Sequence, residues 1–311
     1  MPVEGKRPGP VPPGGGGITR RAFLRAGCAL VAGGAASCLG GSLYSTLLEP
    51  SWIEVTRVEV RLPGLPGALD WLTVVQLSDF HRGPHVSAEE VRHSVEMANA
   101  LEADLIVLTG DYVYQKAGYS ADCAQELGGL RAGYGVFAVL GNHDVWTGPD
   151  EVAGNLSGAG IRVLRNEGVP VEIGGVDLWL AGVEDTGYAG TSFGDFRAIW
   201  QATAAELGRT LAGIPAGAPR ILLVHNPDFC EMLPEGRVDL IVCGHTHGGQ
   251  VRLPFIGPPI VPSCFGRKYA GGLVDGQRAP IYVNRGIGLI APPVRFNCRP
   301  EITVLRLSAG T

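Results

Sequence analysis

Five short apolar runs in this chain are each followed directly by residue types that bind metal ions. Short runs of branched apolar residues are typical of strands that are buried on both faces of a sheet. Because binding sites in open α/β sheets gather at the carboxyl ends of the strands, we expect these five ends to converge. The residues that follow the runs are Asp79 and His81, then Asp111, then Asn142, His143 and Asp144, then His225, and finally His245 and His247.

Predicted strands alternate with predicted helices, which indicates the α/β class and a single domain after the first fifty residues. Ser87 and Glu90 form a capping-box pattern at the start of a helix. Gly174 and Gly175 separate two apolar runs, which predicts a hairpin and therefore a mixed sheet. The predicted strands are residues 55–62, 72–77, 104–109, 136–140, 169–173, 176–183, 220–224, 238–243, 281–284 and 301–307, and the predicted helices are 87–101, 121–131 and 195–211.

The predicted ligands are Asp, Asn and His, without cysteine. Carboxylate, amide and imidazole groups suit Mn, Fe, Zn, Ni or Co rather than a metal selected by thiolates. Residues two apart on an extended backbone point the same way, so Asp79 with His81, and His245 with His247, can each face one centre. Seven ligands are too many for one tetrahedral ion and fit two ions that share a carboxylate.

The beginning of the chain has the composition of a targeting segment. Residues 1–17 are rich in Pro and Gly and are predicted to be disordered. Arg20 and Arg21, followed by Phe and Leu, resemble the twin-arginine export motif. No charged residue then occurs between Arg25 and Glu49, which is the pattern of a basic region followed by an apolar one.

The apolar stretch 26–48 is also long enough to cross a bilayer, so a cleaved signal and a retained anchor both remain open. The predicted domains are an N-terminal signal or anchor, residues 1–50, and a catalytic domain, residues 51–311. Export would place the catalytic domain in the periplasm or cell envelope, or hold it at the membrane outside the cytoplasm.

The overall composition is that of a globular protein with a modest negative charge. Hydrophobic residues make up 45% and charged residues 18% of 311 residues, which allows a sizeable core. The net charge of −5 argues against a nucleic-acid groove, because proteins that follow phosphate backbones usually carry a basic excess. The seven cysteines contain no CxxC pair, so we expect neither a disulfide framework nor a zinc knuckle.

The ordered motifs D-x-H, GD, GNHD, a lone His and GHTH, over about residues 72–250, resemble the calcineurin-like metallophosphoesterase superfamily. The run from Gly244 to Gln250, followed by Leu253 and Pro254, is similar to its exported or membrane-associated bacterial phosphodiesterases. The resemblance implies a β-sandwich of mixed sheets flanked by helices, with two divalent or mixed-valence metal ions at one edge. It assigns Asp79, His81 and His247 to one metal, Asn142, His225 and His245 to the other, and Asp111 to the bridge.

The resemblance implies a hydrolase in which hydroxide between the metals attacks phosphorus and the leaving oxygen is neutralised. His143 is the candidate general acid or transition-state donor, because it directly follows the predicted ligand Asn142. Asp144 is expected to orient the His143 ring through a hydrogen bond, with a turn or helix cap as the alternative. Tyr114 matches a ligand position of purple acid phosphatases, but His81 competes for that position, so we expect Tyr114 to be structural.

Two further features bear on the substrate. The loop of residues 251–262 is rigid and apolar, and it either covers the core or offers a surface to an acyl chain or a membrane. Arg267, Lys268 and Arg285 could contact phosphate, although lone basic residues are more often solvated.

We therefore predict a metal-dependent phosphoesterase that hydrolyses a phosphodiester or pyrophosphate bond, with a phospholipid or lipid-linked substrate as a hypothesis. The expected partners are a small phosphorylated or lipid-linked substrate, the twin-arginine export machinery and a membrane surface, and no nucleic acid. The alternatives are a non-catalytic envelope protein that binds metal or a phosphorylated ligand, and a phosphomonoesterase.

Overall fold

Two six-stranded sheets form the body of the protein. The computed structural model divides into two compact units, Met1–Leu43 and Tyr44–Thr311, and both sheets belong to the second. Most of the predicted leader, residues 1–17, lies outside the described residues. The structure describes residues 19–187 and 196–310, together with the isolated residues 1, 5 and 9.

The first unit contains one helix, α1, which spans Arg20–Leu43 among the described residues. Its 24 residues extend about 36 Å, which exceeds the roughly 30 Å hydrocarbon core of a bilayer. By length and apolar composition alone, the helical stretch Phe23–Ser51 is a candidate membrane span. One N-terminal apolar helix therefore lies where a signal or anchor was predicted.

The first sheet joins strands from both ends of the second unit. These are β1 (Glu54–Pro63), β2 (Thr73–Leu77), β3 (Leu105–Leu108), β4 (Val136–Ala138), β5 (Arg162–Val163) and β12 (Glu301–Gly310). Their order is β1-β12-β2-β3-β4-β5, and only β12 and β2 pair antiparallel. The runs in β2 and β3 are almost wholly buried, as expected for parallel strands covered on both faces.

The second sheet has a parallel centre and antiparallel edges. It contains β6 (Glu167–Ile173), β7 (Val176–Gly182), β8 (Arg220–Leu223), β9 (Leu240–Cys243), β10 (Gly272–Asp275) and β11 (Pro280–Val283). The order is β10-β11-β9-β8-β7-β6, with β6–β7 and β10–β11 antiparallel. Gly174 and Gly175 have φ angles of 58° and 81°, so these two glycines supply the left-handed turn of the predicted β6–β7 hairpin.

Helices flank the sheets. They are α2 (Ala88–Asn99), α3 (Ser120–Leu127), α4 (Asn142–Thr147), α5 (Pro149–Gly158) and α6 (Phe196–Ala212). The predicted capping box of α2 is present, because Ser87 Oγ accepts from Glu90 N at 3.2 Å and Glu90 Oε2 accepts from Ser87 N at 2.7 Å. Asp195, where a helix was predicted to begin, lies outside the described residues.

The two sheets pack face to face. Leu105 and Val107 of β3 share an inner core with Leu223 of β8 and Val242 of β9. Ile106 lies between the first two and belongs to the outer core with α2, α3 and α5, because successive strand residues point to opposite faces. A third core joins α6 to the outer face of the second sheet. The predicted α/β sandwich of mixed sheets in a single domain is confirmed.

Some elements differ from the sequence prediction. The predicted helix 121–131 ends at Leu127, where two glycines follow. Helix α5 was not predicted, although Pro149 in its first turn is a start signal. Strand β10 was also missed, because its residues alternate between half-buried and exposed and form no continuous apolar run.

The second unit begins at Tyr44 and includes Glu49. The Glu49 side chain is fully buried and accepts hydrogen bonds from the backbone N–H groups of Asn297, at 2.9 Å, and Cys298. Cys298 Sγ in turn donates to the carbonyl oxygen of His247 at 3.3 Å. The segment before β1 is therefore part of the second unit and is connected through Cys298 to a predicted ligand loop.

Candidate metal centre

The carboxyl ends of five strands carry the predicted ligands. Three of these strands, β2, β3 and β4, belong to the first sheet, and β8 and β9 belong to the second. The cluster is therefore built across the edge of the sandwich, with donors from both sheets. All seven predicted metal ligands are buried, with at most 7% of the residue exposed: Asp79, His81, Asp111, Asn142, His225, His245 and His247.

One group of donor atoms comes from Asp79, His81 and His247. His81 Nε2 lies 2.9 Å from His247 Nε2, and Asp79 Oδ1 lies 3.4 Å from His247 Nε2 and 3.9 Å from His81 Nε2. The Nδ1 atoms of both histidines are buried without a hydrogen-bond partner among the described residues. A cation placed between Asp79 Oδ1 and the two Nε2 atoms would be bound by all three donors.

A second group comes from Asn142, His225 and His245. His225 Nε2 lies 3.0 Å from Asn142 Oδ1 and 3.2 Å from His245 Nδ1. The other ring nitrogen, His225 Nδ1, donates to the carbonyl oxygen of Thr109 at 2.6 Å. That carbonyl fixes one proton on Nδ1 and turns Nε2 toward other acceptor atoms, which is the orientation of a metal-binding histidine.

Asp111 lies between the two groups. Its Oδ1 accepts a hydrogen bond from the backbone N–H of His143 at 2.8 Å. Its Oδ2 lies 3.5 Å from His81 Nε2 and 3.2 Å from His225 Nε2. One oxygen is thus held by the backbone, while the other is within reach of both groups.

Burial sets the protonation of the cluster. Burial raises the pKa of Asp79 to about 7, and it lowers the pKa values of His81 and His245 to about 3. Burial also acts to lower the pKa of His225, but the charge of Asp111 outweighs it and holds that pKa well above its usual value. The neutral rings of His81 and His245 are in the form that binds a metal ion, and the carboxylates attract positive charge to the space beside His225.

The ligand backbones depart from the expected extended conformation. His245 and His247 were expected on an extended backbone, and this is wrong, because both have positive φ angles. They belong to different donor groups, as the family resemblance implies. A left-handed residue costs on the order of 1–3 kcal/mol, so hydrogen bonds such as His245 N to both Asp79 oxygens, each 3.0 Å, must hold it. The ligands with positive φ are Asp79 (53°), His81 (47°), Asp111 (58°), His245 (73°) and His247 (51°).

Two glycines allow the strand ends to approach this closely. A Cβ atom on Gly141 would lie 2.3 Å from Asp111 Oδ1, and a Cβ on Gly244 would lie 2.3 Å from Asp79 Oδ2. Both distances are far shorter than a van der Waals contact. The glycine before each of these motifs therefore makes room for a carboxylate of the neighbouring strand end.

His143 lies at the edge of the cluster, and one of its ring nitrogens is within 4.8 Å of donor atoms of His81 and Asp111. Its half-buried ring is centred 4.7 Å from the His81 ring, 5.4 Å from Tyr114 and 4.7 Å from Trp146. Burial lowers the pKa of His143, although the Asp111 carboxylate opposes the shift. The structure thus places a neutral imidazole at the edge of the cluster, packed between aromatic rings, and it places Tyr114 against that imidazole.

Asp144 does not make the predicted contact with His143. Its fully buried carboxylate instead accepts hydrogen bonds from the backbone N–H groups of Asp111, Tyr112 and Gly141, each at 2.9 Å, and from Val113 at 3.3 Å. These donors lie on the loops that follow β3 and β4. The predicted orienting role is corrected accordingly, because Asp144 ties together the loops that carry Asp111 and Asn142.

Asp185 is a functional candidate that the sequence analysis missed. Asp185 follows β7 in the same way that the predicted ligands follow their strands, and this position could have identified it from the sequence. Its Oδ1 accepts from Gly187 N at 2.7 Å, whereas Oδ2 is buried with no partner among the described residues. Burial raises the pKa of Asp185 to about 7, while the charge of His225 opposes the shift.

The basic residues considered for phosphate binding have protein partners instead. Arg285 pairs with Glu301 at 3.1 Å and with Glu54 at 2.8 Å. Lys268 pairs with Glu231, and the Nε of Arg267 donates to a backbone carbonyl. Positive charge in the centre would therefore come from bound cations and not from these three side chains.

Comparisons with known proteins agree with this site. The model of the calcineurin-like phosphoesterase family matches residues 72–249, which contain all seven predicted ligands. The chain is 33% identical over 303 residues to the uncharacterized metallophosphoesterase YkuE of Bacillus subtilis (strain 168), covering 94% of this chain and 98% of that protein. It is 32% identical over 295 residues to phosphodiesterase YaeI of Escherichia coli (strain K12), covering 93% and 99%.

A third relative is a bovine (Bos taurus) protein described as a transmembrane protein with metallophosphoesterase domain. The chain is 31% identical to it over 307 residues, covering 94% of this chain and 64% of that protein. The family match covers more than half of the chain, and the two bacterial relatives are matched over nearly their whole length. The chain therefore belongs to the calcineurin-like phosphoesterase family.

Proposed function

We propose that this protein is a phosphodiesterase that uses two metal ions bridged by Asp111. The observation that carries the proposal is the position of Asp111 Oδ2, within 3.5 Å of a ring nitrogen from each donor group. Asp79, His81 and His247 would hold one ion. Asn142, His225 and His245 would hold the other.

The donor chemistry fits such ions. The set consists of carboxylate, amide and imidazole groups, which suits Mn, Fe, Zn, Ni or Co. The close approach of ring nitrogens to carboxylate oxygens, 3.4 Å for His247 and Asp79 and 3.2 Å for His225 and Asp111, supports cations in both groups. When bound, the ions would supply hydroxide at neutral pH and offset the negative charge that develops on phosphate oxygens.

The residues of the chain have separate tasks in this proposal. Asp111 is oriented by the His143 backbone, and His225 is oriented by the Thr109 carbonyl. The ring of His143 lies at the rim, where its N–H group can donate a hydrogen bond to the leaving oxygen. Asp144 holds the loops that carry Asp111 and Asn142 against each other.

A diester is favoured as the substrate because a relative that matches nearly the whole chain is named a phosphodiesterase. A pyrophosphate bond presents the same charged oxygens to the metals and belongs to the same proposal. We further propose a phospholipid or lipid-linked substrate, because exposed apolar side chains follow the last ligand motif. Twin-arginine export to the envelope is proposed from Arg20 and Arg21 and from the apolar helix behind them.

The test compares metal-dependent hydrolysis of bis-p-nitrophenyl phosphate by the full chain and by Asp111→Asn. The protein is stripped of metal with a chelator, reloaded with Mn, Fe, Zn, Ni or Co, and its metal content is measured. The unsubstituted chain is expected to bind two ions and regain turnover, whereas Asp111→Asn loses both. Asp177→Asn, at an exposed position on β7, is the matched control and keeps both.

Turnover that survives complete removal of metal, or full activity of Asp111→Asn, would reject the two-metal proposal. Two bound ions without hydrolysis of any diester, pyrophosphate or monoester would favour the non-catalytic binding protein. Hydrolysis of monoesters alone would favour the phosphomonoesterase.

A further inference from the structure

The loop of residues 253–260, here called the apolar loop, carries an exposed apolar tip. Leu253 N donates to Gly257 O at 3.0 Å and Gly257 N donates to Leu253 O at 2.8 Å, which closes a tight turn around Phe255. Residues 253–266 contain no charged residue. The exposed apolar side chains are Phe255, which is fully exposed, Ile260 (77%), Ile256 (56%) and Leu253 (38%).

The apolar loop lies next to the segment where the chain leaves α1. Phe296 connects them. Its N–H donates to Gln250 O at 2.9 Å, and its carbonyl accepts from Arg252 N at 2.8 Å, one residue before the loop begins. On the other side, the Phe296 ring is centred 6.4 Å from the ring of Tyr44, the first residue of the second unit.

The segment after α1 adds to the same apolar region. Arg295 N donates to Ser45 O at 2.9 Å, which fixes this segment to the strand-like stretch that also holds the apolar loop. Leu47 is 64% exposed and Leu48 is 62% exposed. Exposed leucines are thus clustered where the candidate membrane span continues into the folded body.

Trp52 has the environment of a residue at a membrane surface. It is 52% exposed, and the guanidinium of Arg299 lies 3.4 Å from its ring centroid. Tryptophan and arginine are both enriched at the level of lipid headgroups, where an amphipathic ring and a cation are each partly solvated. Trp52 follows the exposed leucines in the chain, and its contact with Arg299 adds a polar group next to Trp52.

We propose that the apolar loop docks into the lipid bilayer that the N-terminal helix enters. The covalent chain brings Tyr44 to the bilayer wherever α1 is embedded, and Phe296 places the apolar loop beside Tyr44. A bilayer also fits a tip that combines four exposed apolar side chains with no charge. The docking does not depend on turnover, so it stands or falls separately from the proposed phosphodiesterase activity.

The experiment places tryptophan reporters in the full chain and reconstitutes it in vesicles of phosphatidylcholine and phosphatidylglycerol. Phe255→Trp and Ile256→Trp report on the apolar loop. Tyr134→Trp is the matched control, because Tyr134 is 41% exposed and bonds to Asp104 at the amino-terminal end of β3. That end is about 20 Å from the metal centre, given the rise of a strand.

Lipids with brominated acyl chains quench a tryptophan that lies among them, and the signal of the unsubstituted chain is subtracted. We expect strong quenching of the reporter at position 255 or 256 and little at position 134. Two loop reporters are used so that misfolding of one variant leaves the other as the test. Equal quenching of loop and control reporters, or none in the loop, would overturn the proposal. Loop emission that is shifted to the blue but not quenched would overturn it in favour of a second copy or a protein partner.

Discussion

At the residue scale, His143 differs from the seven predicted ligands in its burial and in the side chains that its ring contacts. The ligands are almost fully buried and face one another, whereas the ring of His143 is half-buried and packs against Tyr114 and Trp146. Its backbone N–H, not its ring, holds Asp111 in place. Removing the ring should therefore affect the leaving group more than the metals.

We predict that His143→Ala keeps the metal content of the protein and lowers kcat by about 10²–10⁴-fold, the usual contribution of a proton donor. The loss should be larger for an alkyl diester than for bis-p-nitrophenyl phosphate, whose leaving group needs little protonation. His93→Ala, at an exposed position on α2, should change neither quantity. Loss of a metal ion together with activity would show that His143 is a ligand.

Asp144 shows the limit of predicting a role from a single residue and its neighbours in the chain. A carboxylate next to a candidate catalytic histidine suggests an orienting partner, but the backbone amides that it binds belong to residues 111–113 and 141. The second loop comes close only because β3 and β4 are neighbours in the sheet. Local sequence gives the residue type, whereas the sheet decides which donors surround it.

At the scale of elements, the segment between α1 and β1 makes a buried contact that its composition does not predict. Glu49 ends a long stretch without charge, so its sequence context predicts a place in the signal or anchor. In the folded protein its carboxylate satisfies two backbone N–H groups beside the His247 loop. Such a buried acceptor is expected to contribute to stability.

We predict that Glu49→Gln lowers the free energy of unfolding by about 1–3 kcal/mol, because the amide NH2 would face a backbone N–H with no acceptor. Urea unfolding of the full chain measures this, with Glu172→Gln, an exposed position on β6, as the control. Because Cys298 links Glu49 to His247, the variant should also release metal at a lower chelator concentration. If neither the free energy of unfolding nor the chelator concentration that releases metal changes, the contact is dispensable.

The elements that sequence predicted best are the buried strands, because an uninterrupted apolar run of four to six residues is too short to form a buried helix. Edge elements were predicted poorly. Strand β10 has no apolar run, and β5 has two residues, so their pairing depends on neighbours that lie far away in the chain. The left-handed turns at the ligands were also not predicted, although Asp and His are among the non-glycine residues enriched in that conformation.

At the scale of the whole molecule, the family and the sandwich fold follow from five ordered motifs, and the family match confirms both. Substrate choice depends instead on surfaces that the motifs do not define. The apolar loop, Leu253–Ile260 in the sequence, lies beside the segment that leaves α1 and near the last ligand motif. In the proposed docking, that arrangement would connect membrane attachment to the choice of substrate.

We predict that replacing Phe255 and Ile256 with Ser lowers kcat/KM for a diester carried in vesicles, mainly through a higher KM. Turnover of soluble bis-p-nitrophenyl phosphate should be unchanged, because neither side chain belongs to the donor groups. Replacing Leu273, which is 47% exposed on β10, with Ser is the matched control. Equal losses on both substrates would remove the lipid-substrate proposal.

The position of β12 has a consequence for how the protein is made. β12 lies between β1 and β2, pairing over ten residues with one and antiparallel with the other. The first sheet therefore cannot close until residues 301–310 have been synthesised, long after α1 has left the ribosome. Under the proposed twin-arginine export, a targeting receptor would bind the helix while the sheet is still open, whereas a transporter that accepts only folded cargo would have to wait for the last strand.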